Sequence, residues 1–379
     1  MTKVVHVALT PLAGSPIRIV NALNKHTGFD ARLITLDSAI YGGRIFEGDL
    51  DWNKSRDECL ELIASAEILH FHHYFNLSNN PFSVDFYDVA ENASFVRQFH
   101  SVPLTMAKGD QSLANEIVNS EIPQLVVSQH QERYFPNAKI VPSIIPQTAP
   151  EYLPCSNKSV QLKVGYAPST LNSCWNDKYD YTRWDTKGSV ETIAMVTDAL
   201  RLSKMGSLEL ITNAPHYQCL LLKRECHVGI DEMVTGSFHL SSLEFLSQGV
   251  PCMAYLDNRT METLKTLTGS DKLPWVNVML ENSGDVLVEL LNDESLREEL
   301  GRLSRRWIEE YYREEDLINY YSKSYDDLLN LGVVLEQPRY NPESSSDRWM
   351  AYGKYDYEWL GRVKNNKAQK KFGFLGFWK

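Results

Sequence analysis

The chain has 379 residues, of which 43% are hydrophobic, and its formal net charge at pH 7 is -11. This length suits two domains with a hydrophobic core each, and the negative charge argues against a general nucleic-acid-binding protein, which needs a cationic surface to displace counterions. The sequence after Met1 is not typical of a signal peptide, and no apolar run reaches the roughly 18 to 20 residues that span a bilayer, so we expect a cytoplasmic protein.

Short apolar segments alternate with helix-periodic segments through the first 150 residues. The sequence predicts strands at 3–9, 31–36, 68–71, 103–106 and 125–128, with helices from residue 17, at 59–65 and at 82–99. Short apolar strands that alternate with helices indicate a parallel sheet covered on both faces.

The prolines at positions 142, 146 and 150 predict a linker over 140–152, because proline at this density interrupts both sheets and helices. A second alternating series follows, with predicted strands at 162–166, 208–212, 227–230 and 252–255 and helices at 189–205, 217–224 and 241–248. Two such series predict an α/β fold with two doubly wound, Rossmann-like domains that face a central cleft. We assign them to residues 1–150 and 151–310, followed by a helical segment at 311–337.

The tail at 338–379 differs from the rest of the chain in composition. Residues 362–379 carry six basic side chains and no acidic ones, interspersed with Phe372, Phe374, Phe377 and Trp378. This pattern suggests a peripheral contact with the inner face of an anionic membrane. The alternative is a disordered, solvated C-terminus.

Three loops before helices are candidates for binding an anion. Gly14 and Ser15 follow the first strand and precede a helix, whose first N–H groups are free to bind a phosphate; the alternative is a plain tight turn with Ser15 as the N-cap. The segment that ends in Ser169 closes the first strand of the second half. Lys187 and Gly188 then begin a helix, and a lysine beside a positive helix end suits a diphosphate, the alternative being a solvated surface lysine.

The third loop, at 236–251, is the most specific of the three. It enters a helix through Phe238, Leu240 and Ser241, ends that helix at Gly249 and leads into a strand. Glu244 lies one turn into the helix, so its carboxylate can point back towards the helix start and accept hydrogen bonds from two vicinal hydroxyls, as in a ribose. The amides of Leu240 and Ser241 would face the same cleft and bind phosphate.

This segment, Gly-x-Phe-x-x-x-x-Leu-Glu-x-x-x-x-Gly-x-Pro, resembles the donor-binding signature of retaining GT-B glycosyltransferases of family 4. The preceding strand, the Lys187–Gly188 pair and the glycine loop at residue 14 also resemble that family. The resemblance implies transfer of a hexose from a UDP- or GDP-sugar to a glycan or lipid-linked acceptor, with retention. It also implies a reaction without a metal ion or another cofactor, and we find no convincing set of carboxylate ligands for a hard cation.

The sequence departs from the family pattern at Gly236, where many members carry the first glutamate of a Glu-x7-Glu pair. His239 is a candidate catalytic substitute; its alternative role is packing at the helix start. His72 and Asp110 are the other candidate catalytic residues. His73 and Lys108 are candidates for acceptor binding, although His and Asp at strand ends often only cap turns.

Two other functions stay open from the sequence. The missing glutamate is compatible with a catalytically silent GT-B subunit that binds a sugar or a partner enzyme. A nucleotide-sugar epimerase is the second alternative, but that chemistry needs acidic and basic groups in the cleft, and the sequence does not identify a convincing set.

Overall fold

The computed structural model describes residues 1–37, 46–129, 134–156, 158–169, 171 and 187–334. All of these belong to one compact unit, Met1–Glu336. The tail with its candidate membrane contact lies outside the described residues. Among the helices described, none is both long enough and apolar enough to cross a membrane.

The strands of the described residues are short, with two to seven residues each. They are β1 Thr2–Ala8, β2 Phe29–Thr35, β3 Leu50–Asp51, β4 Ile68–His72, β5 Ser94–Phe99, β6 Gln124–Val127, β7 Lys139–Val141, β8 Lys163–Tyr166, β9 Ser207–Leu210, β10 Val228–Ile230, β11 Cys252–Ala254 and β12 Val276–Asn277.

Helices lie between most of these strands and follow the last one. They are α1 Ser15–His26, α2 Arg56–Ser65, α3 Phe86–Val89, α4 Pro103–Met106, α5 Gln111–Val118, α6 Ser189–Ser203, α7 His216–Arg224, α8 Leu240–Ser247, α9 Asn258–Thr268, α10 Leu280–Asn292, α11 Glu294–Tyr311, α12 Glu314–Leu317 and α13 Asn319–Leu331.

The N-terminal strands form one parallel sheet in the order β3-β2-β1-β4-β5-β6-β7. Its inner strands are buried almost throughout, as expected for a sheet covered on both faces. The strand order reverses between β1 and β4, where Ala8 pairs with His72 at the carboxyl ends. In doubly wound sheets, ligands bind beyond the carboxyl ends of the strands at such a reversal.

The C-terminal strands form a second parallel sheet in the order β12-β11-β10-β8-β9. Its order reverses between β8 and β10, where Tyr166 pairs with Ile230. Two doubly wound parallel sheets confirm the predicted α/β fold class. The sheets lie on either side of residue 150, and the exact domain limits remain a prediction.

The structure contradicts the sequence prediction at three places in the N-terminal half. The predicted linker at 140–152 begins within β7, where Ile140 and Val141 pair with Val126 and Val127; the prolines lie only after this strand. Residues 103–106, predicted as a strand, form α4, which begins with Pro103 in its first turn, a position that suits proline. Residues 82–99, predicted as one helix, contain only the short α3, capped by Asp85, and then β5. The apparent helical spacing arises because Phe82 and Phe86 both pack against Phe75 in the core.

The C-terminal helices complete the core of the N-terminal sheet. Tyr321 and Tyr325 of α13 are fully buried, and their hydroxyls contact Pro142 and the histidines of β1 and β4. The hydroxyl of Tyr312, just after α11, donates to the carbonyl of Ser143. The last helices therefore tie the end of the described chain to the N-terminal sheet.

Candidate functional site

The loop after β1 leads directly into α1 and supplies its N-cap. A 3-10 turn, Leu12–Gly14, ends in Gly14 with φ of 75°, and Gly14 rather than Ser15 is the N-cap of α1. A Cβ at Gly14 would lie 3.3 Å from the ring of Phe46, so this left-handed residue also has little room for a side chain. Ser15 is the first residue of α1 and is buried. The alternative of Ser15 as an N-cap is therefore wrong. The amide of Gly14 donates to the carbonyl of Pro11 and that of Ser15 to the carbonyl of Leu12, and Pro16 has no N–H, so the prediction of free N–H groups at these first residues is wrong.

The carboxyl end of β8 is the second half's counterpart of this loop. Ser169 is exposed beyond that end. Gly188, with φ of 57°, is the N-cap of α6 and places Lys187 immediately before the helix. Burial would raise the pKa of Asp231 at the end of β10, but His239 and Lys187 outweigh it and the pKa lies below its usual value. The positive charge of Lys187 therefore contributes to lowering the pKa of a carboxyl group at the carboxyl end of β10.

The entry to α8 is held in place by two acidic residues that follow β10. Asp231 accepts hydrogen bonds from the backbone N–H of His239 at 2.6 Å and lies 3.1 Å from its Nδ1. Glu232 is fully buried and accepts the backbone N–H groups of Thr235 and Ser237. Burial raises the pKa of Glu232, although these amides oppose the shift.

The conformation of the same loop accounts for glycine at position 236, where the sequence departs from the family pattern. Gly236 has φ of 83°, and a Cβ there would lie 3.0 Å from the Cβ of Asp257. A glutamate at this position would therefore be strained by its left-handed φ and would displace the side chain of Asp257 by a few tenths of an ångström. Phe238 is fully buried, and its ring packs 5.3 Å from that of Trp275 in the core. His239 is the N-cap of α8, and its ring is largely covered.

Glu244 lies at the contact between the two halves of the chain and is surrounded by basic side chains. Its Oε1 accepts a hydrogen bond from Nη2 of Arg18, in α1, at 2.9 Å and lies 3.0 Å from Nε2 of His216. Its Oε2 accepts one from Nζ of Lys223 at 2.6 Å. Lys223 also donates to Oγ of Ser241 at 2.9 Å. We call Arg18, His216, Lys223 and Glu244 the junction cluster.

Arg18, Lys223 and Glu244 of the junction cluster are buried and ionised. Burial alone would raise the pKa of Glu244, but Lys223, His216 and Arg18 together hold it well below its usual range. Burial would lower the pKa of Lys223, and the charge of Glu244 more than offsets this, so its pKa is raised. The carboxylate predicted to bind a ribose is thus bound by protein groups of both halves in this structure.

The N-terminal switch point contains a chain of histidine side chains. Nε2 of His6 lies 3.1 Å from the hydroxyl of Tyr325, and its Nδ1 lies 2.9 Å from Nε2 of His72. Nδ1 of His72 lies 3.0 Å from Nε2 of His100, beyond β5. His70 joins this group through the Tyr325 hydroxyl at 2.7 Å. The chain of contacts runs from the buried face of α13 to the carboxyl end of the sheet.

These histidines are neutral because burial disfavours the imidazolium ion. Burial lowers the pKa of His6 to about 3, and it holds those of His70, His72 and His100 well below 6.5, with additional repulsion from neighbouring histidines. His72 is fully buried and contacts protein groups, so its predicted catalytic role could act only through His100.

The spacing of His6, His70 and His72 is short enough for a shared metal ion, since their ring nitrogens lie within 4.8 Å of one another. The rings of His70 and His72, however, stack at an interplanar angle of 12° with centroids 4.5 Å apart. A nitrogen lone pair lies in the plane of its ring, so stacked rings do not aim their lone pairs at a common point. This geometry favours a hydrogen-bonded chain.

The remaining acceptor-side candidates lie beyond β4 and around α4. His73 has φ of 66°, packs edge-on against His100 and has its pKa lowered by burial to about 4. Lys108, with φ of 51°, is exposed. Asp110 caps α5 by accepting the amides of Ser112 and Leu113, which is the structural role weighed against its catalytic one.

The sequence prediction missed Arg18, His216, Lys223, Asp231 and Glu232, which make the closest contacts of the site. One signal was present: Arg18 lies between Ile17 and Ile19, and Lys223 follows the apolar stretch 220–222. A charge inside an apolar segment indicates a buried partner.

No protein-family model and no curated protein sequence matches the chain. Among solved structures, the sucrose-phosphate synthase of Thermosynechococcus elongatus is 11% identical with a TM-score of 0.53, covering 86% of this chain and 99% of that one. An alpha-glucosyltransferase in complex with UDP and a 13-mer DNA containing an A:G mismatch is 11% identical with a TM-score of 0.56, covering 86% of this chain and 98% of that one. An alpha-glucosyltransferase in complex with UDP has a TM-score of 0.51 at 12% identity, covering 86% and 99%.

At these identities the likeness concerns the fold. The matching proteins are GT-B glycosyltransferases, and the two doubly wound sheets described above have the same architecture. The chain therefore has the GT-B fold, with two Rossmann-like α/β domains.

Proposed function

We propose that this protein is a glycosyltransferase that moves a hexose from a UDP- or GDP-sugar to a glycan or lipid-linked acceptor, with retention and without a metal ion. The observation that carries the proposal is the junction cluster, in which Arg18 in the first turns of α1 meets Glu244 in the second turn of α8. Each helix follows the carboxyl end of a strand at its sheet's switch point, which is where doubly wound domains bind nucleotides.

The donor diphosphate is proposed to bind at helix starts. Gly14 and Ser15 begin α1 and would lie beside the diphosphate without donating to it, because their amides already bond to Pro11 and Leu12. Lys187 and Gly188 begin α6, and Leu240 and Ser241 supply the first amides of α8. Amides at a helix start and a nearby lysine stabilise the negative charge that develops on a departing diphosphate. In this proposal Glu244 binds the ribose, Ser169 flanks the β8 loop, and Phe238 supports α8 from the core.

The donor sugar requires a group in place of the absent glutamate at position 236. The pair of Asp231 and His239 is the proposed substitute, because it lies at the carboxyl end of β10 and the charge of Lys187 reaches it. The backbone N–H and Nδ1 of His239 both face Asp231, which leaves Nε2 to contact a sugar hydroxyl.

The acceptor is proposed to bind at the N-terminal switch point. His73 and Lys108 would contact it, and Asp110 would act beyond its role as a helix cap. His72 would support His100 through their 3.0 Å contact. One structural neighbour is in complex with DNA. The net charge of -11 weighs against a nucleic-acid acceptor here, and a membrane contact by the tail would bring the protein to a lipid-linked one.

The proposal is tested with the full chain and a panel of UDP- and GDP-sugars. We expect one donor to raise the melting temperature and to release free nucleotide when glycan or lipid-linked acceptors are added, with the same rate in EDTA. Release of nucleotide without transfer of the sugar to an acceptor would show hydrolysis of the donor. Sugar analysis of the acceptor distinguishes hydrolysis from transfer.

Two outcomes would replace the proposal with an alternative. Binding of a nucleotide sugar without turnover under any condition would support a catalytically silent subunit, the reading that Gly236 keeps open. Recovery of the donor as its epimer, without an acceptor, would support an epimerase.

A further inference from the structure

The junction cluster contains more positive than negative charge in a buried place. Arg18 is 6% exposed, Lys223 is 2% exposed and Glu244 is 4% exposed. Two basic side chains whose pKa values are raised thus share a single hydrogen-bonded carboxylate, and Glu47 and Asp231 act on Arg18 and Lys223 only through space. Burying an ion without full compensation costs free energy, so the cluster favours the arrival of another anion.

Arg18 is the member of the cluster whose hydrogen bonds are least complete. Its Nη2 serves both Oε1 of Glu244 at 2.9 Å and Nε2 of His216 at 2.8 Å. Its Nη1 is buried and has no hydrogen-bond partner among the described residues. A guanidinium group presents parallel N–H donors that match two oxygens of one carboxylate or phosphate. Here Nη2 donates to Glu244, whereas Nη1 does not.

His216 cannot satisfy both of its neighbours at once. Its Nε2 lies 2.8 Å from Nη2 of Arg18, which can only donate, and 3.0 Å from Oε1 of Glu244, which can only accept. One ring nitrogen either carries a hydrogen or accepts one. The contact of Arg18 with the C-terminal half therefore competes with that of His216, and moving the guanidinium away would let His216 donate to Glu244.

Arg18 is also the cluster's contribution from the N-terminal half, since His216, Lys223 and Glu244 all follow β8. Its helix begins at the Gly14 loop, and the ring of Phe46, which packs against Gly14, lies 5.3 Å from the ring of His216. A Cβ at Gly14 would lie 3.9 Å from Cζ of Arg18, so the guanidinium lies directly beside this loop.

Resting on the proposed function, we propose that Arg18 is a phosphate-binding residue that also controls access to Glu244. The guanidinium exchanges the carboxylate of Glu244 for the diphosphate of a nucleotide. This exchange frees one of the two acceptor positions of Oε1 of Glu244 for a ribose hydroxyl, while His216 donates to the other. Lys223 stays on Oε2 throughout, so the carboxylate remains compensated. The ligand class is a nucleoside diphosphate or its sugar ester, and a nucleoside without phosphate lacks the charge that releases Arg18.

Calorimetric titration of the full chain with UDP, GDP, uridine and guanosine tests this. In the wild type we expect the preferred diphosphate to bind at least about 100-fold more tightly than its nucleoside, since charge-assisted contacts are the stronger ones. In Arg18→Met we expect diphosphate affinity to fall by about 10-fold or more and nucleoside affinity to rise, so that the preference collapses. Arg18→Lys should restore part of the diphosphate affinity. The control is Arg201→Met, because Arg201 is an exposed arginine of α6 that pairs with Asp198.

The outcomes separate this inference from the proposed function. If the wild type binds a diphosphate and Arg18→Met keeps the same preference over the nucleoside, the role of Arg18 is wrong while the donor site stands. If the wild type binds neither UDP nor GDP nor their sugars, the proposed function fails and this inference with it. If Arg18→Met does not fold, Arg18→Lys decides, because a lysine that leaves the preference unchanged contradicts the need for the guanidinium fork.

Discussion

Glu244 shows how one residue can hold a fold together and also be a candidate for ligand binding. Its carboxylate is the only acidic group in the junction cluster, and three basic side chains from α1 and α7 contact it. The position of this carboxylate is set by its place in the second turn of α8. Its low pKa is caused by basic side chains that are distant in the sequence. Substitution of Glu244 therefore changes stability as well as any binding.

The residue-scale prediction is that Glu244→Gln lowers the free energy of unfolding by about 3–5 kcal/mol, because it leaves Arg18 and Lys223 buried without a counter-ion. Urea unfolding monitored by circular dichroism measures the loss. The double variant Glu244→Gln with Lys223→Met should recover part of it, since one of the two uncompensated charges is removed.

The matched control is Asp198→Asn, whose partner Arg201 is exposed on the same helix. This variant should stay within about 0.5 kcal/mol of the wild type, as is usual for exposed ion pairs. An equal, small effect of both variants would contradict the view that the junction cluster is buried and charged in solution.

At the scale of elements, the position of α8 depends on two glycines in the strands beneath it. A Cβ at Gly229 of β10 would lie 2.5 Å from the ring of Phe245, and one at Gly165 of β8 would lie 3.0 Å from the same ring. Because no side chain fits there, the helix packs closely on the sheet. This close packing sets the height of Glu244 and the first amides of α8 above the strand ends.

We predict that Gly229→Ala lowers the free energy of unfolding by about 1–3 kcal/mol, since the added methyl group overpacks the contact with Phe245. Thermal and urea unfolding measure the change. Gly28→Ala is the matched control, because a Cβ at Gly28 meets nothing within 4 Å. A loss that is the same in both variants would mean that the tight contact under α8 does not exist.

The sequence was informative about elements whose signals are local. The segment from Gly236 to Gly249 gave α8 within one residue of its observed limits, because its capping residues and apolar face lie inside a single stretch. Residues 82–99 failed for the opposite reason. There the aromatic spacing reflects packing of Phe82 and Phe86 onto other elements, and tertiary contacts overrode the helical period.

The site was less accessible to sequence reasoning than the fold. The positions of Lys187, His239 and Glu244 at strand ends follow from the alternation of elements. The partners of Glu244 do not, since Arg18 lies 226 residues away and reaches it only through the contact between the two halves. No local pattern specifies a pair of that separation. The buried charges in α1 and α7 indicated partners without identifying them.

At the scale of the whole molecule, the neutral histidines of the N-terminal sheet make stability depend on pH. The pKa values of His6 and His73 are lowered to about 3 and about 4, and those of His70, His72 and His100 lie well below 6.5. Between these values and 6.5, the unfolded chain binds protons that the folded protein does not. Stability is therefore greatest above the unfolded pKa and falls as the pH falls through this range.

We predict that the free energy of unfolding decreases by several kcal/mol from about pH 7.5 to about pH 5, at about 2 kcal/mol for each histidine that stays neutral. Urea midpoints across this range measure the slope. Between about pH 7.5 and 8.5 the same histidines are neutral in both states and contribute no slope, which serves as the internal control. A flat profile down to pH 5 would show that the histidines are protonated or exposed in the folded protein.

The contact of Tyr325 with His6 and His70 also sets an order of events during protein synthesis. Tyr325 lies 319 residues after His6, and its hydroxyl contacts ring nitrogens of both histidines. N-terminal domains generally begin to fold while the ribosome is still translating the rest of the chain. Here the N-terminal sheet leaves the ribosome long before α13 does, with its histidine layer uncovered. The histidine layer is covered only when nearly the whole described chain has been released.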